Sequence, residues 1–210
     1  SGALHHIVAC EAAGIMPVCG VEAYFREDRT IREDKVVLKE YYHMTLIAQS
    51  LEGWLNLMRI TSDAWANGFY GKACCDYSTL EKYNEGLIVM SACVSGFVPW
   101  NLHIGEQKKA ELHWKRLKNI FGDRLYMEIM PHDFDDQRSK NLAVVQFAAE
   151  TSTPVVATVD AHYPYAEWHD THDVLWMINT ASSMEDERKR KEKAREAAQA
   201  SGEDTYRDDF

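Results

Sequence analysis

Five runs rich in small, β-branched and aromatic residues alternate along this chain with stretches at helical spacing. That alternation constrains the fold more than any other feature. It argues for an α/β architecture with a mostly parallel sheet, open or closed into a barrel. The strand-like runs are IMPVCGVEAYF, YYHMTLIAQS, GLIVMSACVSG, RLYMEIM and PVVATVDAHY. In the first, Val21, Ala23 and Phe25 share one face, with Glu22 and Tyr24 on the other. In the last, Val155 to Val159 reads as a buried strand in the middle of a sheet, ended by Tyr163 and Pro164.

The helical stretches are equally legible. Leu4 to Ala13 is stopped by Gly14. In LEGWLNLMRITSDAWANG, Trp54, Leu57, Met58 and Trp65 fall on one stripe. Ser78 to Glu81 carries the capping-box pattern and predicts a short helix opening there. In EQKKAELHWKRLKNIFG, Ala110, Trp114, Leu117 and Phe121 line one side and Gly122 ends the helix. Asn141 to Thr151 and YAEWHDTHDVLWMINTA are the last two. REDRTIREDK reads as a solvated loop, and residues 183–210 as a charged helical or frayed tail.

Composition excludes several classes. The 210 residues, 46% of them hydrophobic, suit one large or two small domains. No apolar run can span a membrane, and no signal peptide precedes the first helix. The formal net charge of -10 makes a poor non-specific nucleic-acid binder. Five cysteines without a repeated spacing argue against a disulfide framework and for a reducing cytoplasm. Cys74 and Cys75 read as free thiols in a loop. The chain opens inside an apparent helix without a starting Met, so it is expected to be part of something longer.

Polar residues gather at strand ends. Glu22 lies within one strand, His43 starts another, Cys93 follows a third, and Asp160 and His162 close a fifth. Carboxylate, imidazole and thiolate are ligand types for zinc, iron or manganese. Asp160 and His162 are two apart, so in extended chain both point to one side. The alternative is a structural Asp–His hydrogen bond capping the strand, and no CxxC or HExxH motif decides between them. His132 follows a strand, where a cleft and solvent are equally good readings. His5 and His6 diverge on a helix and read as surface residues, as do His169 and His172 beside Asp170 and Asp173. There is no glycine-rich phosphate loop, no GxSxG elbow and no aspartate pair of the two-metal kind.

Five segments occur in a familiar order: AGIMPVCGVEAYF, YHMTLIAQSLEGWLNLMRITSDAWANGFYGK, EKYNEGLIVMSACVSG, PVVATVDAHY and HDVLWMINTA. From residue 1 to about 182 the chain resembles the PHP (polymerase and histidinol phosphatase) domain of bacterial and phage DNA polymerase III alpha subunits. The resemblance implies a distorted seven-stranded β/α barrel, here incomplete, binding up to three metals through nine ligands. By motif, the family's ligands fall on Glu22 in GVEAY, His43 in YHMTLIA, Cys93 in MSACVSG, and Asp160 and His162 in ATVDAHY. The family's first strands, with His-x-His, an Asp and an Asp-His-Gly turn, would precede residue 1, which removes four ligands from this chain. The basic residue that often follows GFYGK is replaced by Ala73 and Cys74.

The resemblance carries functional expectations. The chain is expected to be part of a replicative DNA polymerase whose palm, fingers and thumb, with their magnesium, lie beyond the carboxyl end. The PHP region would be a zinc- or manganese-dependent phosphoesterase acting as a 3′–5′ exonuclease. The alternative is a non-catalytic scaffold for the polymerase body or a proofreading subunit; a stand-alone phosphoesterase is weaker. Expected partners are DNA, the proofreading exonuclease and the sliding clamp, in the cytoplasm of a bacterial cell or phage-infected host, with no membrane contact.

Overall fold

The structure, a computed structural model, describes residues 2–30, 41–132 and 135–183, together with residues 185, 186, 188, 189 and 192. It divides into two compact units, residues 1–159 and 160–210. In the first unit the strands are β1 (Gly20–Phe25), β2 (Tyr42–Ala48), β3 (Phe69–Tyr70), β4 (Lys72–Cys75), β5 (Leu87–Met90), β6 (Leu125–Ile129) and β7 (Val155–Ala157). They form one sheet in the order β3-β4-β1-β2-β5-β6-β7. The sheet does not close: β3 and β7 are its end strands among the described residues.

The sheet is mixed. β4–β1, β5–β6 and β6–β7 pair in parallel, whereas β3–β4, β1–β2 and β2–β5 are antiparallel. The mostly parallel sheet expected from the alternation is therefore only half realised. A parallel neighbour needs a crossover long enough to carry the chain back. β6 and β7 have one, whereas β3 and β4 are joined by a tight turn at Gly71, whose φ is +70°.

Helices α1 (Ala3–Ala12), α2 (Leu51–Asn67), α3 (Tyr77–Tyr83), α4 (Phe97–His103), α5 (Gln107–Phe121) and α6 (Asp135–Thr151) complete the unit. Register explains why the core lies on one side of the sheet. Val21 opposes Leu46, Ala23 opposes Met44, Leu46 opposes Val89 and Val89 opposes Leu125. These side chains share one face and pack with Leu57 and Ile60 of α2, Leu80 of α3, Phe97 of α4, and Leu117 and Phe121 of α5. A second cluster joins Met127 to Val98, Ala110, Val144 and Phe147. The other face receives Glu22, Tyr24, His43 and Thr45 by the same alternation.

Several expectations change in detail. On α2 the buried stripe is Gly53, Asn56, Leu57, Ile60 and Ala64. Trp54 is half-buried, whereas Met58 and Trp65 face out, Trp65 stacking on Phe69. Gly53 sits against the turn at Gly86, so close that a Cβ would meet the Gly86 carbonyl. That contact rotates the stripe away from Met58. The helix after Cys75 is capped by Asp76, whose carboxylate accepts from the Thr79 N–H, two residues earlier than the capping box at Ser78 predicts. Cys74 and Cys75 form no disulfide, as expected, but they sit buried in β4 rather than in a loop. β7 is a three-residue end strand, not a central one, and Val155 and Val159 are exposed. Helix α4 and the β3–β4 hairpin were not anticipated. Of the charged loop, residues 31–35 lie outside the described residues, as does most of the tail after residue 183.

The second unit contains a 3-10 turn, Ala166–Trp168, and helix α7 (His169–Thr180). Ala181, in the left-handed region at φ +52°, ends α7, with its N–H on Ile178 and that of Ser182 on Met177. Among the described residues, no helix is long and apolar enough to cross a membrane.

Candidate metal centre

Three of the five strand-end residues converge on the face opposite the helices. Glu22 on β1 pairs with Thr45, and His43 on β2 pairs with Tyr24, so the two side chains are diagonal neighbours. Cys93 reaches them from the loop after β5. Two features aim that loop. Ala92 takes a left-handed φ of +62°, a conformation costing about 1 kcal/mol or more for a non-glycine residue. Gly96 then docks on β2: the His43 N–H donates to Ser95 and the Gly96 N–H to Cys93, at 3.1 and 2.8 Å. A side chain at Gly96 would meet the Ser91 carbonyl at 1.9 Å, so only glycine fits.

The resulting cluster is tight. His43 Nδ1 lies 2.6 Å from Glu22 Oε1 and 3.3 Å from Cys93 Sγ, and Sγ lies 3.8 Å from Oε1. Among the described residues this is the group of three whose ligand atoms all fall within 4.8 Å of one another. Glu22 is exposed, His43 and Cys93 partly buried, so the cluster opens to solvent. Hydrogen bonding to Cys93, then to Glu22, raises the His43 pKa to about 9 against a smaller opposing effect of burial. At neutral pH a proton therefore holds the position that a cation would take.

Asp160 and His162 lie in the second unit. The backbone there is not extended: the strand stops at Ala157 and Asp160 turns left-handed at φ +45°. The i, i+2 argument for a shared side therefore does not apply. Instead, His162 Nδ1 sits 2.7 Å from the Asp160 carbonyl oxygen and 3.9 Å from its carboxylate. The His162 ring meets that of His172 edge-on at 5.6 Å, and His172 and His169 both approach Asp173. His132 lies just past β6, partly buried, and His5 and His6 are exposed on α1.

Sequence reasoning missed Glu128. It is 5% exposed in β6. Its carboxylate accepts from the hydroxyls of Thr45 at 3.0 Å and Thr158 at 2.6 Å, and its N–H donates to Ser91 Oγ. It thus ties β6 to Thr45, two residues from His43, and to the chain leaving β7. The available signal was a lone acid inside the apolar run LYMEI.

An open α/β sheet, with helices on one face and a carboxylate–imidazole–thiol cluster on the other, defines an α/β domain with a candidate metal site. The chain belongs to the PHP domain family, whose model matches residues 1–132. It is 38% identical over 182 residues to the DNA polymerase III subunit alpha of Aquifex aeolicus, covering 84% of this chain and 16% of that protein. With the same subunit of Borreliella burgdorferi it shares 33% identity over 193 residues, 90% of this chain and 17% of that protein. With that of Thermus aquaticus the figure is 33% over 189 residues, 88% and 15%. The chain thus spans 15 to 17% of the length of these relatives.

Proposed function

We propose that this chain is the PHP region of a replicative polymerase alpha-like protein and that it acts as a metal-dependent phosphoesterase, cleaving the phosphodiester at a DNA 3′ end. The observation that carries the reading is the convergence of Glu22, His43 and Cys93 within hydrogen-bonding distances of one another. Three different donors leave a fourth position open, the arrangement of catalytic rather than structural zinc. The thiolate favours zinc over manganese, which prefers oxygen. When bound, the metal would supply Lewis acidity and a water of lowered pKa. Glu22 and Cys93 supply negative charge, and His43 gives up its proton to become a ligand. Asp160 and His162 carry the family's ligand motif, and their double variant tests whether metal uptake depends on them. Polymerisation, its magnesium, and contacts with a proofreading exonuclease and a sliding clamp belong to the longer protein, in the bacterial cytoplasm.

Elemental analysis of the purified chain tests the reading, beside Cys93→Ala and Asp160→Ala/His162→Ala variants. About one or more zinc per chain, lost with Cys93, together with zinc-dependent release of nucleotides from a 3′ end, is expected. A chain that binds no zinc or manganese overturns the reading and leaves a non-catalytic scaffold.

A further inference from the structure

Beside the acid–imidazole–thiol cluster the same sheet face carries aromatic rings and a cation. Tyr24 is two residues from Glu22 on β1 and directly opposite His43 on β2. Tyr41 is two residues before His43. Lys72 is two residues before Cys74, which pairs with Tyr24. Strand alternation therefore brings Lys72, Tyr24, Tyr41, His43 and Glu22 to one face. The contacts agree. The Tyr24 ring meets Tyr41 edge-on at 4.9 Å and His43 at 5.4 Å; Tyr41 lies parallel to His43 at 6.4 Å, tilted by 8°. Lys72 Nζ stands 5.0 Å over the Tyr24 ring.

The opposite face shows what aromatic packing for stability looks like in this fold: Phe25 and Phe97 are fully buried in the core. Tyr24 and Tyr41 are instead partly open to solvent, and they adjoin the cluster where a phosphoester would be cleaved. We infer that Tyr24 and Tyr41 are a stacking platform for the terminal base of a single-stranded nucleic acid, with Lys72 taking a phosphate. A nucleotide, a planar ring linked to an anionic ester, uses both the aromatic faces and the cation. The inference rests on the phosphoesterase reading for what happens to that ester, but not for the binding itself. With a net charge of -10 the chain offers no broad basic surface. Affinity must then come mainly from stacking, with a log–log salt slope near about −0.7, the value for one phosphate contact.

The test is fluorescence anisotropy of a short labelled oligothymidylate and of an abasic strand of equal length, with chelator present. Wild-type chain, Tyr24→Leu/Tyr41→Leu, Tyr24→Phe/Tyr41→Phe and Lys72→Gln are compared. Expected are about tenfold or greater weakening in the leucine variant, recovery in the phenylalanine variant, a similar loss for the abasic strand, and a flatter salt slope in Lys72→Gln. Equal binding of abasic and normal strands, or no binding by wild type, overturns the inference. The abasic comparison decides alone if the leucine variant is unfolded by circular dichroism. Zinc content of the same preparations separates the two readings. Ring-dependent binding by a chain that takes up no metal would refute the phosphoesterase and keep the platform. Zinc uptake without ring-dependent binding would do the reverse.

Discussion

His113 is buried among aromatic rings, stacked on Phe97 at 4.1 Å and with its Nδ1 2.6 Å from the Tyr77 hydroxyl. Burial lowers its pKa to about 3, with Arg116 adding to the effect, and burial raises that of Tyr77. Both therefore stay neutral, and the Tyr77 hydroxyl and Nδ1 share a hydrogen bond whose donor is set by the imidazole tautomer. The unfolded imidazole takes up a proton near 6.5 and the folded one only near 3. Folding stability from this residue is complete above 6.5 and falls as pH drops, by about 1.4 kcal/mol per unit. Urea unfolding between pH 7 and 4 should show that slope, and His113→Gln should flatten it. His43 has the opposite sign. Its raised pKa, about 9, contributes stability that is present below 6.5 and lost as pH rises through 9. A metal must displace that proton. Zinc titration by calorimetry at pH 7.5, in buffers of differing ionisation enthalpy, should report proton release of up to two per site, one from the His43 imidazolium and one from the Cys93 thiol that donates to Glu22, and lost in Cys93→Ala.

The loop from Cys93 to Gly96 does for its element what the two imidazoles do for single sites. A Cβ at Gly96 would strike the Ser91 carbonyl, backbone that cannot rotate away. Gly96→Ala should cost about 2–3 kcal/mol by overpacking and lift the loop from β2. Lost zinc uptake beyond what the drop in stability explains, measured below the melting temperature, is the outcome to look for. Elements whose side chains alternate cleanly were legible from sequence. β1, β2, β5 and β6 fall where the apolar runs predict, and Glu22, His43 and Cys93 stood out because each is a polar ligand type within or beside an apolar strand. Helix α4 and the β3–β4 hairpin were not legible. α4 is seven residues, too short to display a period, and β3 is only two. The direction of each pairing was hidden too, since alternation says which face a residue takes and not which strand it meets. Glu128 was passed over because its partners, Thr45 and Thr158, are 83 and 30 residues away.

At the scale of the whole molecule, the buried apolar residues among those described run from Phe25 to Ala148, and neither α1 nor α7 contains one. A helix of 10 or 12 residues is marginal in water without a packed face. The central strands, by contrast, contribute Leu46, Leu87, Val89 and Leu125 at essentially zero exposure. Cooperative opening of β1, β2, β5 and β6 must therefore disrupt the main core, whereas α1 and α7 can open locally. Native-state hydrogen exchange should place β2 and β5 amides near the global unfolding free energy. Amides of Ala3–Ala12 and His169–Thr180 should exchange several kcal/mol sooner, about three orders of magnitude or more in rate. Saturating zinc at about 100 times its dissociation constant should raise the protection of β1 and β2 by about 2.7 kcal/mol, because the proposed ligands Glu22 and His43 lie on them. The α1 amides should not respond. If α1 or α7 proves as protected as β5, stability is not confined to the core clusters and this partition is wrong. If zinc protects α1 as strongly as β2, the first unit opens as a single block and local opening of α1 is excluded.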